Sequence, residues 1–292
     1  MIREDFYKDR PAVTVSTDEF SATFLPLDGA KLVSYKNKNG EELMAQMPGE
    51  KYLRLGIDSN YIDCECSACD DMFPTIDPCE INGQKYLDHG EVCRIEHNYA
   101  IEGDKVTFSV EAKEVNSTFA KTVYTDGKSL FVKYRIENHN DFTLPYIWAA
   151  HMMLIGEEGA YVESEFSRND SKRVMFGKPL SIDTAEVLEP FGTNKGYKFY
   201  YTDAKAPIKC SVIYPDTNKK ISVEFDNDIV KYLGVWMNPG DLNDMYNIAI
   251  EPCTALYDDP INAEKGNAAS YIAAKGTIEF TLKIDSEIMG GK

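Results

Sequence analysis

The feature that most constrains this chain is an alternation of apolar and polar residues with a period of two. Within residues 129–138 (SLFVKYRIEN), the apolar positions on one face are Leu130, Val132, Tyr134 and Ile136. Residues 106–110, 221–225 and 277–285 repeat the pattern. Because successive side chains of a strand point to opposite faces of a sheet, each run predicts a strand that is buried on one face.

Turn-forming pairs separate these runs, and no amphipathic helix longer than about three turns stands out. Asn-Gly, Gly-Asp and Asp-Gly pairs stand at 39–40, 82–83, 103–104 and 126–127. Short helices are expected only within 61–75 and 259–275. The chain has no low-complexity linker and no internal repeat. We therefore predict an all-β protein, a large antiparallel β-sandwich, forming one domain over residues 1–292.

The charge balance excludes several classes of partner. The 31 basic and 48 acidic residues give a formal net charge of −17. Such a surface repels phosphate backbones and anionic lipids, so neither nucleic acid nor membrane is an expected partner. The sequence also lacks a signal-like apolar segment and any run of the ~18 apolar residues that cross a bilayer. Seven cysteines without a disulfide framework predict reduced thiols and a cytoplasmic protein.

Two of the four histidines stand out as candidates for acid–base chemistry. His97 and His139 lie in polar, turn-like segments, where an exposed residue is expected. His151 lies in an apolar, aromatic run (LPYIWAAHMML) and is either a buried core residue or a group at the floor of a pocket. His89 is flanked by carboxylates and followed by Gly90, which would allow close approach of a ligand, although an ordinary loop histidine has the same surroundings.

Glu251 is the carboxylate most open to a functional interpretation. It follows an apolar run (YNIAI) and precedes Pro252, which is expected to end the strand. Burying an unpaired charge is unfavourable. The carboxylate is therefore either held by backbone donors or is a base in a pocket.

A cysteine cluster is the competing candidate site. Cys64, Cys66 and Cys69 include one C-x-x-C pair, which is half of a typical zinc site, and Cys79, His89 and Cys93 could add ligands. No second C-x-x-C pair exists, so buried or incidental thiols are favoured and no metal is expected. Nucleotide-binding, zincin and serine-hydrolase motifs are absent.

Three segments, in order, resemble the aldose 1-epimerase family, whose members are also called galactose mutarotase-like proteins. The first is residues 71–74 (DMFP) followed by 88–90 (DHG). The second is Asn138 followed by residues 145–151 (PYIWAAH). The third is residues 246–253 (YNIAIEPC), which resembles the strand of the family's catalytic glutamate.

The resemblance runs from about residue 13 to 284 and implies a β-supersandwich with a sugar cleft. It implies that Glu251 is the general base for the anomeric hydroxyl and that His151 is the general acid for the ring oxygen. It further implies that His89 binds the sugar, and that no metal or organic cofactor is needed.

Three further residues are predicted to contact the sugar, which is the expected small-molecule partner: Asp71, Asp203 and Trp236. Many relatives carry a sugar-binding arginine in the loop before the first histidine, but here residues 69–72 read CDDM. The missing arginine and the negative net charge together favour an unphosphorylated hexose. The alternatives are a non-catalytic carbohydrate-binding protein of the same fold and a metal-stabilised or redox-sensing protein built on the cysteine cluster.

Overall fold

The computed structural model describes residues 1–81, 83–165, 172–176, 186–193, 195–201, 208–226 and 228–290, with the backbone alone over 172–176. This described part contains 22 strands, one α-helix and two short 3₁₀ turns. The strands in chain order are β1 (Ile2–Tyr7), β2 (Arg10–Ser16), β3 (Phe20–Leu25), β4 (Lys31–Asn37), β5 (Cys69–Met72), β6 (Cys79–Ile81), β7 (Gln84–Tyr86), β8 (Asn98–Glu102), β9 (Lys105–Ala112), β10 (Ser117–Thr125), β11 (Leu130–Asn138), β12 (Leu144–Tyr146), β13 (Ala149–Ile155), β14 (Tyr161–Ser164), β15 (Lys172–Phe176), β16 (Tyr197–Tyr201), β17 (Ile208–Tyr214), β18 (Lys219–Phe225), β19 (Tyr232–Pro239), β20 (Tyr246–Cys253), β21 (Ser270–Ile272) and β22 (Thr277–Ile288).

The helical elements are short: two of the three lie in the stretches predicted from the sequence, and the third, a 3₁₀ turn at Val92–Arg94, lies outside them. The helix α1 spans Pro260–Lys265, and Asp259 caps it by accepting a hydrogen bond from the Asn262 backbone N–H at 2.9 Å. The 3₁₀ turns span Tyr61–Asp63 and Val92–Arg94. No helix in the described ranges is long and apolar enough to cross a membrane.

Two large antiparallel sheets form the body of the protein. The ten-stranded sheet has the order β1-β2-β3-β4-β5-β13-β20-β19-β16-β15, and the eight-stranded sheet has the order β14-β17-β18-β22-β11-β10-β9-β8. Two small sheets, β12-β21 and β6-β7, flank them. The predicted runs correspond to β9, β11, β18 and β22, so the all-β sandwich is confirmed.

The core lies between one face of the ten-stranded sheet and one face of the eight-stranded sheet. Val235 and Ile250 from the first sheet belong to the same buried cluster as Val132 and Leu282 from the second. Residues one position away along β19 and β20 therefore point to the opposite, outer face of the ten-stranded sheet. That outer face positions the candidate site.

Candidate active site

A cleft of about 330 Å³ lies on the outer face of the ten-stranded sheet, over its central strands. Its floor is formed by residues of four neighbouring strands, β13, β20, β19 and β16: His151, Met153, Asn247, Glu251, Trp236, Asn238 and Lys198. Its walls come from loop residues 60–62, 76–77, 88–89, 242–243 and 245, with Cys66 and Asp258. Because successive side chains point to opposite faces of a sheet, the residues that alternate with the core residues on these strands point into the cleft.

Glu251 lies in the floor of the cleft and is fully buried. Its Oε2 atom lies 2.8 Å from Nζ of Lys198, and its Oε1 atom lies 3.5 Å from Nε2 of His151. Gly234 is its partner across β19 and β20, and a Cβ atom there would lie 3.2 Å from the Glu251 Cβ atom and 3.0 Å from the Tyr200 ring. The glycine therefore leaves space for the carboxylate.

Lys198 connects Glu251 to a second carboxylate. Its Nζ atom also lies 2.8 Å from Oδ1 of Asp258, which accepts a 2.7 Å hydrogen bond from the Tyr200 hydroxyl. Burial alone would lower the pKa of Lys198, but the charges of Asp258 and Glu251 outweigh it and raise the pKa above its ordinary value. The ammonium group therefore stays charged and bridges the two carboxylates.

His151 lies beside Glu251 and is neutral near pH 7. Burial lowers its pKa to about 4, against the opposing effect of the Glu251 charge, and the nearby His89 and Lys198 lower it further. Its Nδ1 atom is buried and has no hydrogen-bond partner among the described residues. The nitrogen that faces Glu251 is Nε2, so this nitrogen is placed to exchange a proton in the cleft.

His89 stands on the opposite wall with a fixed ring orientation. Its Nδ1 atom lies 2.8 Å from Oδ1 of Asp88, and its ring stacks on Tyr61 with centroids 3.7 Å apart and an interplanar angle of 5°. The His89 and His151 ring centroids are 5.9 Å apart. Because Nδ1 donates to Asp88, Nε2 of His89 is the nitrogen that can meet a ligand.

Backbone geometry and a buried arginine hold this wall in place. His89 has a left-handed φ of 61°, and Gly90 follows with φ of 73°. A Cβ atom at Gly90 would lie 2.0 Å from the carbonyl oxygen of Phe73, so this glycine allows close approach of a backbone and not of a ligand. Arg94 is buried and donates five hydrogen bonds to four main-chain carbonyls, those of Gly56, Ser59, Asp88 and Gly90.

Tyr61 is tied to the interior on its other side. Its hydroxyl donates to Oδ2 of Asp70 at 2.8 Å, and the same oxygen lies 2.8 Å from Nζ of Lys31. Lys31 also donates to the carbonyl of Glu65 at 2.6 Å. The aromatic ring that supports His89 is therefore anchored by a buried ion pair.

Four of the predicted site residues line this one cleft: Glu251, His151, His89 and Trp236. Asp203 lies outside the described residues. The structure corrects the prediction for Asp71, which is buried on the core face, with Oδ2 2.6 Å from Nζ of Lys121 and Oδ1 accepting from the Trp148 indole at 3.3 Å. Its neighbour Asp70 pairs with His151 across β5 and β13, so alternation turns Asp71 away from the cleft.

Three residues of the site escaped the sequence analysis: Lys198, Asp258 and Tyr61. Lys198 had a usable signal, since it is the one charged residue in a strand of aromatic residues, YKFYY. A lysine is rarely buried without a charged partner, which predicts a carboxylate nearby. Asp258 and Tyr61 lie in loops, where no periodicity marks the side that faces a site.

The cysteine cluster does not form a metal site in the described part of the chain, where no three His, Cys, Asp or Glu residues are grouped as ligands. Cys64 and Cys69 are buried, and Cys66 lines the cleft. Burial raises the pKa of Cys66 to about 12, so its thiol is protonated and weakly nucleophilic.

Comparison with known proteins gives structural likeness only. No family model and no curated protein matches the chain. A solved structure described as a candidate aldose 1-epimerase from Klebsiella pneumoniae matches with a TM-score of 0.78 and 18% identity, covering 99% of this chain and 83% of that one. A galactose mutarotase-like protein from Clostridium acetobutylicum matches with a TM-score of 0.68 and 16% identity over 99% of both chains. A galactose mutarotase related enzyme from Lactobacillus acidophilus matches with a TM-score of 0.68 and 15% identity, covering 95% and 98%. The chain therefore has the galactose mutarotase-like β-sandwich fold.

Proposed function

We propose that the protein is an aldose 1-epimerase that interconverts the α and β anomers of an unphosphorylated hexose. The observation that carries the proposal is the placement of Glu251 and His151 on adjacent strands, 3.5 Å apart, in the floor of one cleft. A proton acceptor and a proton donor must both reach one sugar ring in this reaction, and each well-placed group contributes about 10²–10⁴-fold.

The proposed reaction needs two proton transfers. The Glu251 carboxylate takes the proton of the anomeric hydroxyl, the C1–O1 bond becomes a carbonyl, and the bond from C1 to the ring oxygen breaks. The ring oxygen keeps the electron pair of that bond and receives a proton from Nε2 of protonated His151. After rotation about C1–C2, the reverse transfers close the ring on the other face and restore both residues.

The neighbouring residues would support these transfers. Lys198, 2.8 Å from Oε2, pairs with that oxygen and leaves Oε1 to meet the sugar. His89, held by Asp88 and Tyr61, would hydrogen-bond the sugar near its reacting oxygens. These partners pre-organise the acid and the base before the sugar binds.

The charges around the cleft support an uncharged sugar. The cleft is lined by four carboxylates, those of Asp77, Asp88, Glu251 and Asp258. Among its described lining residues, Lys198 is the one lysine or arginine. With His151 neutral, the four carboxylates outnumber Lys198 and His89 together, so this lining is net negative. A sugar phosphate or a uronic acid would therefore be repelled.

A mutarotation assay tests the proposal. Freshly dissolved α-glucose and α-galactose should equilibrate faster with the protein than in the buffer blank, as followed by polarimetry or NMR. Glu251→Gln protein with an unchanged circular dichroism spectrum is the control for adventitious catalysis. If no sugar in a broad panel of free aldoses equilibrates faster than the blank, the enzyme proposal is wrong.

A second candidate function is carbohydrate binding without catalysis. The neutral state of His151 favours it, because little protonated imidazole is present near pH 7 to act as the acid. Sugar binding by calorimetry without anomerisation in the same panel would support this alternative.

A further inference from the structure

The cleft extends well beyond the proposed acid and base. Glu251 and Asn247 both line it and lie four residues apart on β20, which places them about 14 Å apart along the strand. One pyranose ring at Glu251 and His151 occupies only part of that length. The remainder, which we call the distal part, is lined by Trp236, Met153, Leu242, Met245 and Asn247.

The floor of the distal part is an aromatic platform with a fixed position. Trp236 on β19 is paired with Ala249 on β20, and Ala249 is paired with Met153 on β13. The residue next to the indole across the sheet is therefore small. A Cβ atom at Gly196 would lie 2.9 Å from the Cη2 atom of the indole, which means that the ring rests against this glycine. Apolar ring faces of this kind stack on the C–H faces of sugars.

Asn247 supplies the polar group of the distal part. It is 2% exposed, and its Oδ1 atom is buried without a hydrogen-bond partner among the described residues. Asn238, directly opposite on β19, differs: its amide donates to the carbonyl of Leu242 at 3.0 Å and accepts from the Gly240 N–H at 3.1 Å. A buried acceptor without a donor is unfavourable unless a ligand supplies the donor.

We infer that the distal part binds a second sugar ring, and that the preferred substrate is a reducing disaccharide. The reducing ring would lie at Glu251 and His151, and a ring linked through C4, opposite the anomeric carbon, would stack on Trp236 and donate a hydroxyl to Oδ1 of Asn247. This inference rests on the proposed function for its reaction but not for its binding. It also agrees with the apolar walls, since an oligosaccharide presents both C–H faces and hydroxyl groups.

The test compares mutarotation of α-maltose with that of α-glucose. We expect kcat/KM to be about tenfold higher for maltose, because one satisfied buried acceptor has roughly that effect. Asn247→Leu, which removes the acceptor at similar size, should lower the ratio of the two kcat/KM values to about one. Asn98→Ala, at an exposed asparagine of the other large sheet, should leave the ratio unchanged. If Asn247→Leu does not fold, Trp236→Leu at the partly exposed platform should lower the same ratio.

Binding separates the two proposals. Methyl maltoside and methyl glucoside cannot open their rings, so calorimetry with them reports binding alone. Tighter binding of the maltoside that Asn247→Leu abolishes, without anomerisation of any sugar, would support the distal subsite and contradict the enzyme proposal. A maltose-to-glucose ratio of one or less in the unmodified protein, or a ratio that Asn247→Leu and Trp236→Leu leave unchanged, would overturn the subsite while leaving the enzyme proposal intact.

Discussion

Two buried lysine–carboxylate pairs lie on opposite faces of the ten-stranded sheet and differ in how completely they are paired. On the core face, Nζ of Lys121 lies 2.6 Å from Asp71, and the other oxygen of Asp71 accepts from the Trp148 indole. On the outer face, Nζ of Lys198 is shared between Glu251 and Asp258, and the nearest partner of the second Glu251 oxygen is His151 at 3.5 Å.

The difference separates a structural ion pair from one that can take part in chemistry. Both oxygens of Asp71 are occupied, and Asp71 is not among the described residues that line the cleft, so the pair serves to hold the two sheets together. One oxygen of Glu251 keeps spare hydrogen-bonding capacity and faces a cleft. Two lysine–carboxylate pairs of similar burial therefore have different roles, because Glu251 lines the cleft and Asp71 does not.

The largest expected effect is on the cleft pair. Glu251→Gln removes the proposed base at nearly constant shape and should lower kcat for mutarotation by about 10²–10⁴-fold. Lys198 keeps Asp258 as a partner, so the free energy of unfolding should change by less than about 1 kcal/mol. Polarimetry and urea denaturation measure the two quantities. A large loss of stability with little loss of kcat would indicate that Glu251 has a structural role, like Asp71, and is not the base.

The core pair should show the opposite pattern. Asp71→Asn leaves the Lys121 charge buried without a carboxylate and should lower the free energy of unfolding by about 3–5 kcal/mol. The kcat of the folded fraction should not change, because Asp71 does not line the cleft. Urea denaturation and an assay at low temperature check both. A change in sugar KM in the folded protein would instead support a role for Asp71 in the proposed sugar site.

A pH profile sharpens the contrast further, since only the cleft contains a proposed titrating acid. The His151 pKa of about 4 makes the proton-donating imidazolium a minor species that decreases as the pH rises. We therefore expect kcat/KM, after subtraction of the buffer blank, to rise about tenfold for each pH unit from pH 8 down to pH 6. A flat profile over this range would contradict imidazolium as the donor and indicate that neutral imidazole supplies the hydrogen bond.

Periodicity predicted the sandwich because strands buried on one face repeat every second residue. The pattern in β11 and β22 is regular enough to define which side chains enter the core. Predictions that depended on a single residue were less successful. Pro252 was expected to end its strand, but β20 continues through it to Cys253. His97 was expected in an exposed turn, yet it is buried and donates through Nε2 to the carbonyl of Val92 at 3.0 Å.

The site was less accessible to sequence reasoning, because it is assembled from residues far apart in the chain. Glu251 and His151 were found through three short motifs, and the structure places both in one cleft. Asp70 and Asp71 are adjacent in sequence and identical in type, so only the pairing of β5 with β13 shows which of them faces away from the core. Asp258 reaches Lys198 from a loop whose course depends on the whole fold.

Arg94 has a further consequence for how this cleft can diversify. All five of its hydrogen bonds go to peptide oxygens, so they do not depend on which side chain stands at positions 56, 59 and 88. Side-chain substitutions in the loops at 56–59 and 88–90 can therefore change the rim of the cleft while the hydrogen bonds of Arg94 still hold the two loops together. A scaffold of this kind separates the shape of the rim from the integrity of the wall, so that single substitutions can change which ligands fit the cleft.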